Sequence, residues 1–327
     1  MRGFLSSSLL VVLICTTQVC FGNDVVGKLS QSKTGIGGMT SVAWSPDGKL
    51  LATDGDALQV LVWDSRSLSV IKELSQGSRG GGRNNVAFSP NGRYLASGLK
   101  IVNVWDTATW GLRTKLVALH VIPTSPQDVN VESLAFSPDG KLLVVAYAGI
   151  KWVVIAYQLD DEKIAWSYET KATIGKPLLT TPIVFTPDGK SVVVGTGEQR
   201  PGVDVDLERL SKILFLDASS GTLRNSIDGI HVDKPTALAI SRDGQWIATA
   251  TSTGVTDSHL NLKTHAVTRV ENKDPIRVWE IATGKLMSEL PVTSRVWGLT
   301  ALMDCLPDDS TNCKKYAIRP KYIGNGG

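Results

Sequence analysis

The sequence predicts an all-β fold assembled from repeated four-stranded units, and three observations carry that expectation. A hairpin motif recurs five times: VAWSPDGKLLAT (42–53), VAFSPNGRYLAS (86–97), SLAFSPDGKLL (133–143), IVFTPDGKSVVV (183–194) and LAISRDGQWIAT (238–249). The residues that open its turns, Ser45, Ser89, Ser137, Thr186 and Ser241, are spaced 44, 48, 49 and 55 residues apart, the period of a stacked supersecondary unit. Within each unit the apolar residues alternate or run in short β-branched stretches, without the 3.6-residue pattern of helical arrays. Four short strands per period make each unit one blade of a β-propeller.

Each motif encodes its own turn. Pro138 presets φ for the first corner of a type I turn, Asp139 tolerates the second, and Gly140 takes the left-handed conformation that returns the chain into the next strand. Gly48, Gly92, Gly189 and Gly244 hold the same place in the other copies.

The second half of each unit is a Val, Ile and Leu-rich run that often ends on an aromatic and an acid: VLVWDSRSLSVIKEL (60–74), VNVWDTATWGLRTKL (102–116) and IRVWEIATGKLMSEL (276–290). Trp63-Asp64, Trp105-Asp106 and Trp279-Glu280 thus share one structural position. Here the chain resembles the WD-repeat β-propeller family, in a bacterial-type exported form, over roughly residues 39–303. The resemblance implies that these pairs end the third strand of their blades. It also implies a stiffening network of a His before the first strand, a Ser or Thr in the second, an Asp in the next turn, and the Trp. Only fragments remain. His231 lies seven residues before Leu238, the family spacing, which implies a blade brace with Thr251 and Trp279. Gly35 and Arg79 occupy the corresponding places elsewhere, and Asp56 is a candidate turn acid. Tyr157 and Leu216 stand where Trp is expected in the third and fourth blades, which also resemble YVTN-type repeats.

In chain order, residues 1–22 read as a signal peptide: Arg2, an apolar stretch from Phe4 to Val19, and small residues at Cys20 and Gly22 for cleavage before Asn23. The apolar run is too short and interrupted to span a membrane, so the expected location is periplasmic or secreted. A retained anchor, or lipidation at Cys15 or Cys20, is the rival reading. In the 23–38 segment, Val25–Leu29 is expected to close the ring by supplying the strand that the other terminus lacks. The propeller is expected over 39–303, with a degenerate sixth blade opening at Ser294–Leu302. The 304–327 stretch is expected as an irregular tail in which Tyr316–Ile323 offers one or two strands interrupted by Pro320, and an incomplete sixth blade would offer an open edge for dimerisation. Cys305 and Cys313 either form a disulfide worth about 2–3 kcal/mol or stay free thiols, and without a nearby histidine they do not complete a zinc site.

A net charge of +3 from 34 basic and 31 acidic interspersed residues gives no nucleic-acid footprint. Function is expected in the connecting loops, since the blade cores are devoted to packing. QGSRGGGRNN (76–85) reads as a phosphate or sulfate cradle or as a flexible connection. Residues 198–211 carry Asp204, Asp206 and Glu208 at alternate positions, able to meet a Ca²⁺ or simply to form a solvated acidic loop. Residues 252–274, with His259 and His265, read as a surface loop that contacts a partner. An exposed strip of Trp110, Trp166 and Trp297 would favour carbohydrate. No nucleophile elbow, zinc motif or phosphate loop is present. The expected function is therefore a non-enzymatic exported scaffold that binds a protein or peptide through its loops, without a cofactor. The alternative is a periplasmic propeller enzyme or ligand binder with a site at the central channel.

Overall fold

The structure, a computed structural model, describes residues 39–55, 59–76, 85–118, 129–148, 152–169, 182–198, 210–231, 235–251, 256–261, 266–271, 274–291, 295–296, 299–302, 317–320 and 323–324. They form five four-stranded antiparallel sheets, and no helix occurs among them. The first sheet holds β1 (Met39–Trp44), β2 (Leu50–Gly55), β3 (Gln59–Asp64) and β4 (Val70–Ser75). The second holds β5 (Asn85–Phe88), β6 (Tyr94–Gly98), β7 (Val102–Asp106) and β8 (Leu112–Leu116). The third holds β9 (Asn130–Phe136), β10 (Leu142–Ala148), β11 (Trp152–Gln158) and β12 (Ile164–Glu169). The fourth holds β13 (Ile183–Phe185), β14 (Ser191–Glu198), β15 (Leu210–Asp217) and β16 (Leu223–Asp228). In the fifth, β17 (Ala237–Ile240) and β18 (Trp246–Ala250) are followed by a hairpin of β19 (Thr256–Asn261) and β20 (Ala266–Glu271) before β21 (Ile276–Glu280) and β22 (Leu286–Leu290) complete the sheet.

The first strands β1, β5, β9, β13 and β17 lie side by side in sequence order, so the blades radiate from a shared inner row. Burial explains why the third strands are continuous apolar runs. Successive side chains of β11 are buried on both faces, because the third blade is sandwiched between the second and the fourth. Alternation along β10 divides the core by parity: Leu143 and Val145 pack with Val102 and Val104 of the second blade, whereas Val144 and Ala146 pack with Val192 and Val194 of the fourth. The fourth strands β4 and β16 bury only one residue each and form the outer rim.

Two sequence expectations change. The 252–274 stretch is not simply a loop: β19 and β20 pair from Thr256↔Glu271 to Asn261↔Ala266. The β-branched run AVTRV supplies strand propensity that its polar composition obscured. The 304–327 stretch is not wholly irregular either. β25 (Ala317–Pro320) pairs with β24 (Leu299–Leu302), and β26 (Ile323–Gly324) pairs with β23 (Arg295–Val296). Pro320 ends β25 rather than breaking it, and a strand terminus is where a missing N–H is tolerated. β24 sits beside β17, the place of a sixth inner strand. The proposed closing strand Val25–Leu29 lies outside the described residues.

Candidate functional site

The hairpin turns owe their shape to the residue that opens them. Ser137 N–H donates to Leu142 O (2.9 Å) and Gly140 N–H donates to Ser137 O (2.8 Å), which leaves the Leu142 N–H without a backbone acceptor. Ser137 Oγ accepts it at 2.9 Å and donates to Asp139 Oδ1 at 2.6 Å, and that same oxygen accepts the Lys141 N–H. Ser45 with Asp47, Ser89 with Asn91, Thr186 with Asp188, and Ser241 with Asp243 repeat the arrangement. The hydroxyl bond is the main reason that the carboxyls of Asp47, Asp139 and Asp188 are held below the usual carboxylate range. Gly48, Gly92, Gly140, Gly189 and Gly244 all have φ near +70°, between 69° and 72°. The turns also abut: a Cβ on Gly92, Gly189 or Gly244 would meet Pro46, Pro138 or Pro187 of the preceding blade.

Trp63, Trp105 and Trp279 are buried, whereas Asp64, Asp106 and Glu280 face the next turn rather than the Trp. Asp64 Oδ1 accepts the N–H groups of Arg66 and Ser67, and Asp106 Oδ1 those of Ala108 and Thr109. Glu280 accepts the Thr283 hydroxyl. Asp217, the acid of the fourth blade, caps Ser219 and Ser220 and pairs with Arg224. Its carboxyl is held far below the usual range, first by the Ser219 hydroxyl.

Around His231 the fifth blade forms a closed network. Nε2 meets Thr249 Oγ1 at 2.8 Å, the same oxygen accepts Trp279 Nε1–H at 3.1 Å, and Nδ1 meets Asp274 Oδ2 at 2.9 Å. Arg277 adds an ion pair to Asp274 Oδ1 at 2.8 Å and donates to Ile230 O. The His231 side chain is 0 % exposed. The second-strand partner is Thr249, not Thr251. Both lie on one face of the chain's alternation, but the register Ile247↔Trp279 and Thr249↔Arg277 brings only Thr249 under the indole. Asp274 stands 25 positions after Thr249 and beyond the β19–β20 hairpin, so no local spacing marks it as a partner.

The other blades keep parts of this network or replace it. Trp63 Nε1–H donates to Thr53 Oγ1 at 2.9 Å in the first. In the second, Ser97 donates instead across the blade boundary to the buried Asp54 at 3.0 Å; Asp56 lies outside the described residues. In the third, Tyr157 takes the Trp position and its hydroxyl meets that of Tyr147 at 3.0 Å. Burial pushes both phenols up, Tyr157 to about 12. Tyr147 stands two residues beyond the Thr position, so motif alignment does not reveal the pair.

Trp166 and Trp110 do not form an exposed strip. Trp166 is buried, donates to Ala218 O at 2.8 Å and packs over Gly221 of the next blade, while Trp110 packs against the core between blades one and two. Trp297 lies outside the described residues. So do Asp204, Asp206, Glu208, Cys305, Cys313, and residues 77–84 of the glycine-rich connection. No group of three metal-ligating side chains occurs among the described residues.

The WD domain, G-beta repeat family matches residues 25–64 and 72–106. The chain is 30% identical over 129 residues to Protein HIR1 of Cryptococcus neoformans var. neoformans serotype D, covering 39% of this chain and 14% of that protein. It is 33% identical over 112 residues to Protein HIR1 of Mycosarcoma maydis, covering 34% and 11%. The match therefore spans only a small part of these relatives' length. Among solved structures, the Cps50 (Swd1) β-propeller domain of Myceliophteria thermophila aligns with a TM-score of 0.55 at 15% identity, over 80% of this chain and 76% of that one. Kuenenia stuttgartiensis hydrazine synthase aligns at 0.57 and 18%, over 83% and 70%. Both show the fold. The chain folds as a β-propeller, and its residues 25–64 and 72–106 match the WD-repeat family.

The propeller is built unevenly. Because consecutive strands alternate direction, the connections from first to second and from third to fourth strand of every blade lie at one end of the sheets. That face consists of short turns of uniform length, 45–49, 89–93, 137–141, 186–190 and 241–245, with 65–69, 107–111, 159–163, 218–222 and 281–285. The strands at the opposite face are joined by connections as short as 56–58 and as long as 199–209 or the 251–275 excursion.

Proposed function

We propose that the protein is an exported, non-enzymatic scaffold that holds a protein or peptide partner on the face carrying the unequal connections. The observation that carries this reading is the contrast between the two faces. Ten uniform turns, sealed by their own Ser, Thr, Asp and Asn side chains, present little that differs from blade to blade. Recognition needs difference, and all the variation in length leaves from the other end of the blades. WD40 propellers commonly bind proteins, which supports the same reading. His231, the one histidine whose side chain is described, is enclosed with both ring nitrogens engaged, as suits a brace rather than a proton carrier reached by substrate.

The test is capture of partners from secreted and envelope fractions by residues 23–327, read by mass spectrometry beside the protein's own mass in solution. A partner lost on shortening 199–209 or 252–273, and kept when turn-face side chains are changed, supports the reading. Binding through the uniform face, or turnover of a small molecule at the channel, overturns it. Export is tested separately. N-terminal sequencing of the mature protein should begin at Asn23, and an uncleaved intracellular product would refute that part.

A further inference from the structure

Four of the five turns carry an acid at one position, Asp47, Asp139, Asp188 and Asp243, and the second blade carries Asn91. Gly92 follows it, and with no Cβ a glycine lets its peptide nitrogen approach the preceding side-chain carbonyl carbon closely. Asn91 is exposed. We propose that Asn91-Gly92 is a spontaneous deamidation site whose rate is set by opening of the second blade's turn, and whose aspartyl product restores the acid of the other four blades.

The chemistry needs only water. The Gly92 nitrogen gives up its proton and bonds to Asn91 Cγ; the Cγ–Nδ2 bond breaks and ammonia leaves, closing a succinimide. Water adding at Cγ then breaks its bond to nitrogen and yields aspartate in the normal chain. Water adding at the backbone carbonyl yields isoaspartate, with one extra methylene in the main chain.

The closed turn opposes the first step at both reacting groups. The Gly92 N–H is committed to Ser89 O at 2.8 Å. The carboxamide is pinned through Oδ1, which accepts the Ser89 hydroxyl at 2.7 Å and the Arg93 N–H at 3.0 Å. Neighbouring turns hold it from both sides: a Cβ on Gly140 would lie 3.2 Å from Asn91 Nδ2, and one on Gly92 would lie 3.7 Å from Pro46 Cδ. The reaction therefore proceeds from the open turn. Its products differ in fate. Aspartate re-forms the turn, because all the bonds Asn91 makes there use Oδ1 as an acceptor, as Asp139 does. Isoaspartate displaces Gly92 from its left-handed φ of 71° and breaks the Ser89 contact.

The experiment is ageing of the full chain in mildly alkaline buffer, folded and in urea, with fragmentation of tryptic peptide 84–93 to locate the change from amide to acid. Conversion at Asn91 is expected in urea and at least about tenfold more slowly in the folded protein. The N91D variant is expected to match or exceed the parent's denaturation midpoint. No conversion in urea overturns the site, equal rates overturn the control by turn opening, and an N91D variant that is less stable or unfolded overturns the claim about the product.

Discussion

The network around His231 allows a worked prediction. His231→Ala leaves the backbone bonds to Ser211 intact, since Ser211 Oγ contacts the main chain of residue 231. It removes the contact to Asp274 at 2.9 Å and the contact to Thr249 at 2.8 Å. A hydrogen bond to a charged partner is worth about 1.5–3 kcal/mol and a neutral one about 0.5–1.5 kcal/mol, so the loss lies near about 2–4.5 kcal/mol. Arg277 still pairs with Asp274, which spares that carboxylate from isolation and favours the lower half of the range. The assay is urea denaturation of the parent, His231→Ala, Thr249→Val and the double variant. Because the two side chains share one bond, the double variant should be less destabilised than the sum of the singles, with a coupling of about 1 kcal/mol. A His231→Ala protein as stable as the parent, or strictly additive variants, would refute the brace and return His231 to the candidates for chemistry.

The remaining predictions concern the turns. Gly140→Val should lower the denaturation midpoint, corresponding to at least about 1–2 kcal/mol, because a β-branched residue is strained at a φ of 72°; an unchanged melting temperature would count against it. Gly221→Ala should cost more than its left-handed φ alone implies, since the new Cβ would stand 2.5 Å from Trp166 Cε3; Trp fluorescence would report the displaced indole. Ser137→Ala should cost about 1–2 kcal/mol by leaving the Leu142 N–H unmet. The same variant should have a flatter acid limb. A carboxyl whose folded pKa is depressed contributes stability that is present above its unfolded value, about 3.9, and is lost as pH falls through the folded value. Removing Ser137 removes the main cause of that depression at Asp139, so an acid limb identical to the parent's would contradict the assignment.

The repeat, the five hairpins and the continuously apolar third strands were legible because each depends on residues close in sequence: a Pro-Asp-Gly corner, alternation of period two, and burial on both faces of a blade. The same local signals marked the insertions and singled out His231 by its distance from Leu238. They did not mark its partners. Thr249 and Thr251 are equivalent in alternation, and only the strand register across 28 residues placed Thr249 between His231 and Trp279. Asp274 joined them from beyond a hairpin, Tyr147 met Tyr157 from off the motif, Ser97 turned to the neighbouring blade's Asp54, and Trp166 was drawn from the expected surface onto Gly221. The chain by itself determined the strands of the five blades, since strand and turn preferences are local. The tertiary structure decided which polar groups meet, because buried donors and acceptors take whichever partner the packing of adjacent blades brings within reach.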